Sequence, residues 1–351
     1  MTILNVGVLL PLKGPGSKGG EDVLNGLAMA AEEVNAAGGV NGNVFRLVVR
    51  DTRSEPDRAK KAVAGLVAED KAFVLVGGLA GGSAEAAEAA EAAQVPMLAL
   101  GGTMPGIPSR EPWIFRPCQT DFHSGRVMAR CAANLNVRRV VVVYDPSNAF
   151  SKNLAAAFVT QFKRRPDARV SGEVIDGSLK DLAAVLERVR RKNPDAIYLP
   201  LLGDQAVEAV RKAREMGLTV PVLGTASWDT PEFLDFAGPA GDNCYFPARY
   251  HPELQSEAAG LFRAGYETKY GRPPSAMAAM GYDALAMIAE AVRTAHSASP
   301  VDVKSALAKM RNFPGLTGPI TTDPDLARLE EVAVLRCENG KPRFLEMVPV
   351  H

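Results

Sequence analysis

The chain has 351 residues, of which 47% are hydrophobic and 23% are charged, and its 40 lysines and arginines balance 40 aspartates and glutamates. This length favours two domains over one, and the balanced charge argues against a nucleic-acid-binding protein, which would carry a basic excess. No apolar run approaches the roughly 18 residues of a transmembrane helix. No signal-peptide pattern precedes the first strand, so an exported protein would have lost its leader before Met1.

Strand-like and helix-like segments alternate from the start of the chain. Short apolar runs predict strands at Val6–Leu10, Phe45–Arg50, Phe73–Val76, Met97–Leu100, Arg139–Tyr144, Val170–Ile175, Ala196–Leu199 and Val220–Leu223. Helical periodicity predicts helices at Asp22–Ala37, Ala59–Ala68, Ser83–Gln94, Gly125–Leu135, Leu154–Arg164, Leu179–Lys192 and Asp204–Met216. This rhythm predicts parallel sheets covered by helices, joined by right-handed crossovers.

The rhythm restarts at Arg139, which predicts two doubly wound units rather than one. After Pro247 the pattern changes to helices and then to two late strands. These segments are Glu253–Tyr270, Ala276–Thr294, Val301–Lys309, Val332–Cys337 and Phe344–Val348. The fold class is therefore α/β.

Two glycine-rich loops follow predicted strands, where α/β sheets bind their ligands. In Gly77–Ser83, backbone N–H groups of Gly81 and Gly82 could face an anion, although spacing alone favours Ser83 as a helix cap. The second loop begins at Leu100 and contains Gly101, Gly102 and Thr103, and it could equally be an ordinary loop.

Motifs for catalysis and metal binding are absent from the sequence. There is no GxxxxGK[ST], no GxSxG and no HExxH. The four cysteines form no CxxC pair, so they are expected to be small buried residues, with a bridge between Cys118 and Cys131 left open. His123 is expected at the surface. We predict no enzyme activity, no cofactor and no metal.

The opening sixty residues resemble a known family. The run Val6–Leu10, the following Pro-Leu-Lys-Gly-Pro-Gly, a helix, Asn35–Asn43 and a second strand resemble the leucine/isoleucine/valine-binding proteins, the type I periplasmic receptors of ABC transporters. The resemblance implies the periplasmic binding protein type I fold, two doubly wound parallel-sheet lobes joined by a three-crossover hinge. It places the first lobe at 1–120 plus 251–328 and the second at 121–250 plus 329–351.

The resemblance assigns the first lobe's ligand contacts. It implies that Ser83, or the amides of Gly81 and Gly82, holds a carboxylate. The segment Leu100–Pro105 resembles a family loop that contacts the carboxylate and ammonium of an amino acid, with Gly101 and Gly102 in the loop and Thr103 at the family threonine. Asp121 either caps the helix that it begins or faces the ammonium group.

The second lobe resembles the family less closely. Phe150 fits the aromatic residue over the ligand side chain, and Ala226, Ser227 and Trp228 lie in a segment like the family's Gly-x-(Asp/Glu)-Gly-Trp-Asp. Ala226 occupies the position of an acid that pairs with the ammonium, and an unpaired buried ammonium would cost several kcal/mol. Either Asp121 or Asp229 substitutes, or the ligand lacks that group. Aromatic residues of the family are replaced at three aligned positions, Gly19, Leu202 and Ala279.

The resemblance therefore predicts a substrate-binding receptor of an ABC importer that captures a small carboxylate by hinge closure. A hydrophobic or branched-chain amino acid is the first expectation, and an aromatic or aliphatic carboxylate without an α-ammonium group is the alternative. The expected partner is an ABC permease, with no nucleic acid, and the expected state is a monomer. The expected location is periplasmic or lipid-anchored outside the cytoplasm. A cytoplasmic ligand-sensing regulator on the same fold stays open.

Overall fold

The chain folds into two compact units, each built from separate stretches of sequence. Unit 1 comprises Met1–Cys118 with Gln255–Leu326, and unit 2 comprises Gln119–Leu254 with Ala327–His351. The computed structural model describes residues 1–14, 16–79, 81–101, 113–117, 121–229, 233, 237–248, 250, 257–322 and 331–350, with the backbone alone at 121, 122, 149 and 204. The chain thus passes between the units three times.

Unit 1 contains a parallel five-stranded sheet in the order β2-β1-β3-β4-β5. Its strands are β1 (Thr2–Leu10), β2 (Asn43–Asp51), β3 (Val74–Gly77), β4 (Met97–Ala99) and β5 (Ile114–Phe115). Its helices include α1 (Ser17–Ala36), α2 (Pro56–Ala68) and α3 (Ser83–Ala92). After the chain returns from unit 2 it adds three helices, which we number α8 (Glu257–Tyr270), α9 (Ala276–Ala295) and α10 (Pro300–Lys309), and the hairpin β11 (Phe313–Gly315) and β12 (Gly318–Ile320).

The apolar run of β1 is buried because helices cover both faces of the sheet. Val6, Val8 and Leu10 pack into a cluster with residues of α1 and α9. Leu9, which points to the other face, packs against α2 and α3. Successive side chains of a strand alternate between faces, so a strand buried on both sides must be apolar at every position.

Unit 2 contains a seven-stranded sheet in the order β14-β13-β10-β9-β8-β6-β7. The strands β6 (Arg139–Tyr144), β7 (Arg169–Val174), β8 (Ala196–Tyr198), β9 (Val222–Leu223) and β10 (Cys244–Ala248) are parallel. The last two, β13 (Glu331–Glu338) and β14 (Lys341–Pro349), are antiparallel. The helices described there include α4 (Asp121–Asn134), α5 (Ala149–Phe162), α6 (Leu182–Arg191) and α7 (Gly203–Glu215).

The predicted α/β class with parallel sheets is confirmed, and each predicted strand is present within a few residues. The prediction missed β10, since Pro247 lies in it and a proline has no N–H to donate to a neighbouring strand. The structure tolerates Pro247 because β9 pairs only with Cys244 and Tyr245, so the proline lies beyond the end of that partner. None of the helices that the structure describes has the length and apolarity needed to cross a membrane.

Candidate functional site

The first part of the site lies where β1 and β2 of unit 1 end. The Asp51 carboxylate accepts hydrogen bonds from the N–H of Leu12 (2.9 Å) and of Arg53 (3.0 Å), and the Thr52 N–H donates to the carbonyl of Leu10 (2.9 Å). Burial opposes ionisation of Asp51, but these bonds and the charge of Arg53 together lower its pKa. The carboxylate therefore fixes the loop that follows β1.

The loop after β3 approaches α2 so closely that it requires glycine. A Cβ at Gly81 would lie 2.2 Å from the carbonyl oxygen of Ser54, and one at Gly82 would lie 2.8 Å from Cβ of Ala59. Gly82 also has a φ of +85°, a backbone region that side chains disfavour. Close packing thus explains both glycines, and an anion contact by their amides remains a prediction.

Ser83 does not cap the helix, contrary to the expectation from spacing. Helix α3 begins at Ser83, and Gly82 occupies the capping position without a side-chain hydrogen bond. The serine is thus one residue too late to be the cap. Its half-buried side chain lies in the first turn of α3, where backbone N–H groups and the helix dipole favour anions.

The structure brings Ser83 next to the second glycine-rich loop. The Leu100 N–H donates to the carbonyl of Gly77 (2.8 Å), and a Cβ at Gly101 would lie 2.3 Å from the carbonyl oxygen of Gly78 and 3.7 Å from Oγ of Ser83. The two loops predicted to hold a carboxylate are therefore neighbours at one edge of the sheet. Gly102 and Thr103 lie outside the described residues.

In unit 2, a network of polar side chains shapes the turn between β6 and α5. The Asp145 N–H donates to Oγ of Ser151 (2.9 Å), and its carboxylate accepts from the N–H and the hydroxyl of Ser147 (2.8 and 2.6 Å). Asn148 caps α5, since its Oδ1 accepts from the N–H of Phe150 (3.0 Å) and of Ser151 (3.4 Å). Phe150 is thereby held half-buried in the first turn of the helix, against the core of unit 2.

The Asn148 cap is expected to contribute measurably to stability. Replacing Asn148 with Ala should lower the free energy of unfolding by about 1 kcal/mol, because two N–H groups lose their acceptor. Asn148→Ser, which keeps a hydroxyl acceptor, should be close to wild type in the same urea titration. Equal losses in the two variants would contradict the capping role.

The loops after β8 and β9 are joined at one carbonyl. The carbonyl oxygen of Leu201 accepts from Nε1 of Trp228 (3.1 Å). One of the hydroxyls of Thr225 and Ser227 donates to the other (2.7 Å), and the remaining hydroxyl proton is directed to the Leu201 carbonyl, which lies 3.4 Å from Ser227 and 3.5 Å from Thr225. The polar groups of this segment are therefore engaged within unit 2, and the segment is held in a fixed conformation.

Trp228 belongs to the core of unit 2. It is fully buried, its ring stacks on Phe233 with centroids 4.5 Å apart, and it fills the space that a side chain on Gly224 would need. Packing thus accounts for this tryptophan, and a ligand contact by its ring remains a prediction.

The other predicted residues of unit 2 lie at the carboxyl ends of neighbouring strands. Leu202 precedes α7 and its side chain is 40% exposed, while Ala226 and Ser227 are half-buried in the short 3-10 helix Ala226–Trp228. Because β6, β8 and β9 are adjacent in the sheet, Phe150, Leu202 and Ala226 share one sheet edge.

Four further positions were singled out from the sequence, and the structure describes the side-chain environment of three of them. Ala279 is fully buried in α9, whereas Gly19 in α1 has room for a side chain, since a Cβ there would meet only Cγ of Met277, at 3.9 Å. The Asp121 side chain lies outside the described residues. Asp229 follows Trp228 directly and is half-buried.

The structure tests the expectations for His123 and for the cysteines. The expectation of a surface His123 is wrong, since it lies on α4 with 3% of its surface exposed. Cys131, Cys244 and Cys337 are buried free thiols in this structure, so Cys131 forms no bridge with Cys118 here. Among the residues that the structure describes, no group of histidine, cysteine, aspartate and glutamate could hold a metal ion.

Three residues that organise the site escaped the sequence analysis, namely Asp51, Asn148 and Leu201. An Asp at a strand end and an Asn before a helix are recognisable signals. The role of Leu201 depends on its backbone carbonyl, for which no sequence signal exists.

The chain is similar in sequence and in fold to known binding proteins. A family model described as periplasmic binding protein matches residues 4–341. An amino acid binding protein of Pseudomonas aeruginosa is 31% identical over 236 residues, which are 66% of this chain and 63% of that protein. Leu/Ile/Val-binding protein homolog 2 of Brucella abortus is 26% identical over 351 residues, 97% of this chain and 93% of that protein. A crystal structure of a leucine binding protein from Thermotoga maritima has a TM-score of 0.89 at 30% identity and covers 99% of both chains.

Proposed function

We propose that this chain, which belongs to the periplasmic binding protein family, is the receptor of an ABC importer and captures a hydrophobic or branched-chain amino acid. The family consists of substrate-binding proteins rather than enzymes. The observation that carries the proposal is the position of the Ser83 hydroxyl, 3.7 Å from where a Cβ on Gly101 would lie, which brings together two loops suited to a carboxylate. The names of the Brucella and Thermotoga relatives favour leucine, isoleucine or valine.

The carboxylate is assigned to unit 1. Ser83 offers a hydroxyl in the first turn of α3, a ten-residue helix whose N-terminal N–H groups and dipole favour a negative charge. The second loop begins beside that hydroxyl at Gly101, and Thr103 would add another hydroxyl. These groups are neutral, so they can hold a carboxylate without requiring a buried cation.

The ligand side chain is assigned to unit 2. Phe150 is half-buried and Leu202 is 40% exposed at the same sheet edge, which provides apolar surface near the strand ends. Ala226 adds a small apolar group at that edge, after the adjacent strand β9. Ser227 already bonds Thr225 and Leu201, so its hydroxyl contributes less to recognition.

The proposal extends to the working cycle of an importer. Hinge closure of the two units would trap the ligand, because a ligand that binds the closed state more tightly shifts the population towards it. An ABC permease would then receive the closed, monomeric receptor. The proposed location is the periplasm or a lipid-anchored position outside the cytoplasm, reached after removal of a signal peptide.

Calorimetric titration with leucine tests the carboxylate contact. Ser83→Ala and Thr103→Ala should each weaken leucine binding roughly tenfold or more, because each removes a hydrogen bond to a charged group. Ser305→Ala is the matched control, since Ser305 is an exposed serine of α10 whose hydroxyl bonds only the Val301 carbonyl among the contacts described. Unchanged affinity in both site variants would overturn the assignment.

A second candidate ligand class is a carboxylate without an α-ammonium group. The observation that favours it is Ala226, a methyl side chain at the position where the resembled family has an acid for the ammonium. Titration with 4-methylpentanoate, which is leucine without its amino group, separates the two. Tighter binding of 4-methylpentanoate than of leucine would support the second class, and the reverse order would support the amino acid.

A further inference from the structure

Two cysteines of unit 2 lie on adjacent strands. Cys244 begins β10 and Cys337 lies near the end of β13, and these strands pair antiparallel with Tyr245 opposite Arg336. Continuing this register by one residue places Cys244 opposite Cys337. The strands remain in contact there, because the Asn243 N–H donates to the Cys337 carbonyl (3.1 Å).

Both thiols point to the same face of the sheet. Cys244 and Cys337 belong to one hydrophobic cluster with Phe246 and Leu335, and they are 0% and 3% exposed. The intervening pair, Tyr245 and Arg336, interacts on the opposite face, with the guanidinium carbon 5.7 Å from the ring centroid. The two cysteine side chains are therefore cross-strand neighbours inside the core.

The spacing of such neighbours suits a covalent bond. Residues directly opposite each other in an antiparallel pair have Cα atoms about 4.5–5.5 Å apart, and disulfides span Cα separations of about 4.4–6.8 Å. Both cysteines are free thiols in this structure, and we propose that Cys244 and Cys337 form a cross-strand disulfide when the chain folds in an oxidising compartment, such as the extracytoplasmic space that the family name implies.

The reaction is thiol–disulfide exchange with a small disulfide such as oxidised glutathione. One thiolate attacks the oxidant to give a mixed disulfide and release one glutathione, and the second thiolate displaces the other glutathione. One protein S–S bond forms, two thiol protons are lost and the oxidant is reduced to two thiols. Burial raises the pKa of Cys244 to about 12 and also raises that of Cys337, which lies near Cys244. Thiolate is therefore scarce in the folded protein, and the exchange takes place before β13 closes onto β10.

The bond would join the two separate stretches of unit 2. Strand β10 ends the stretch Gln119–Leu254, and β13 belongs to the returning stretch Ala327–His351. β13 is the strand through which the returning stretch joins the sheet, since β14 pairs with β13 and not with β10. A disulfide at this point would keep the final hairpin attached when unit 2 opens.

Refolding from denaturant in a mixture of oxidised and reduced glutathione tests the proposal. After denaturation, the titre of free thiols should fall from four to two, and mass spectrometry of a non-reduced digest should find one peptide pair that joins Cys244 to Cys337. The oxidised protein should melt at least about 5 °C above its reduced form, because the bond closes a long loop in the unfolded chain.

The cysteine variants distinguish this bond from others. Cys337→Ala should keep its three remaining thiols and lose the difference in Tm, whereas Cys131→Ala should still form the bond. Should Cys337→Ala fail to fold, the digest of the wild type decides alone. Four free thiols in the wild type, or a peptide pair through Cys118 or Cys131, would overturn the proposal. Neither result depends on which ligand the receptor binds.

Discussion

Replacing Gly26 with Ala should destabilise the protein by about 3 kcal/mol, the upper end of the usual cost of overpacking. Helices α1 and α9 cross so closely in unit 1 that a Cβ at Gly26 would lie 1.9 Å from the carbonyl oxygen of Ala278. The contact is reciprocal, since a Cβ at Gly281 would lie 2.2 Å from the carbonyl oxygen of Val23. Both obstacles are backbone atoms, so no side-chain rotation relieves them and the two helices must move apart.

Gly260 provides the matched control for this substitution. It also lies within a helix of unit 1, α8, but it is exposed and a Cβ there would meet nothing within 4 Å. Because Ala favours helices over Gly by up to about 1 kcal/mol, Gly260→Ala should leave the protein equally or slightly more stable. Urea titration of both variants measures the difference. If Gly26→Ala were as stable as Gly260→Ala, the close crossing of helices α1 and α9 would be contradicted.

Replacing Asp283 with Asn should change how stability depends on pH. The buried carboxyl group of Asp283, on α9, accepts hydrogen bonds from the N–H of Leu316 (2.7 Å) and from the N–H and hydroxyl of Thr317 (3.0 and 2.6 Å). Burial raises its pKa to about 6, although the three hydrogen bonds oppose the change. The folded state therefore binds the proton more tightly than the unfolded chain does.

The direction of the pH effect follows from linkage. Stability from protonated Asp283 is fully present below about pH 4 and is lost as the pH rises through about 6. A pKa that rises from 3.8 in the unfolded chain to about 6 in the folded protein corresponds to about 3 kcal/mol in the free energy of unfolding. Between pH 4 and pH 7 the wild type should therefore lose about that much stability relative to Asp283→Asn, whose side chain stays neutral.

Asp302 provides a control with the opposite sign. Its hydrogen bond from Ser299, at the start of α10, lowers its pKa, so its stabilising effect is present at neutral pH and is lost in acid. Urea titrations of the wild type and both Asn variants between pH 4 and pH 7 measure the trend at Asp283, while the difference between wild type and Asp302→Asn should stay constant there, because the Asp302 effect is lost only below about pH 4. A difference between wild type and Asp283→Asn that stays constant with pH, or that favours the wild type as pH rises, would contradict the raised pKa.

The sequence predicted the sheets well because buried strands leave a strong signal. The strand Arg139–Tyr144 has the same bounds in the prediction and in the structure. Its four consecutive valines form a short apolar run of β-branched residues, which is typical of a buried strand. The strand β10 gave no such signal, because Pro247 interrupts a five-residue run of mixed character. Periodicity indicates which positions of a segment are buried, but it does not indicate which other segment pairs with it or packs against it.

The site was predictable in position and less so in the roles of its residues. The rule that loops after parallel strands bind ligands located Ser83 and Gly101 at a sheet edge, whereas Leu202 and Ala226 came from the family resemblance. It could not separate a cap at Gly82 from one at Ser83, because that choice depends on a positive φ angle. Nor could it show that the Trp228 ring turns into the core, since Phe233 and the Leu201 carbonyl, which hold the ring there, are fixed by tertiary packing.

Asp283 shows that hydrogen bonds between residues far apart in the chain are not predictable from the sequence. Helical periodicity predicted the helix that carries Asp283, and the structure shows that its carboxyl group holds the turn at Leu316 and Thr317. Its partners lie more than thirty residues later in the chain, between β11 and β12, where no motif marks them. Long-range polar contacts of this kind require the fold.

Thermal unfolding with a matched set of small molecules tests the central claim, that this chain is a receptor for a small carboxylate. The protein is first unfolded and refolded to remove any bound ligand, and is then heated with leucine, isoleucine, valine, 4-methylpentanoate, benzoate or 3-methylbutylamine, the last being leucine without its carboxylate. A carboxylate present at 100 times its Kd should stabilise the protein by about 2.7 kcal/mol, while 3-methylbutylamine should have no effect. If no carboxylate raises the Tm, or if the amine raises it as much as leucine does, the account is contradicted.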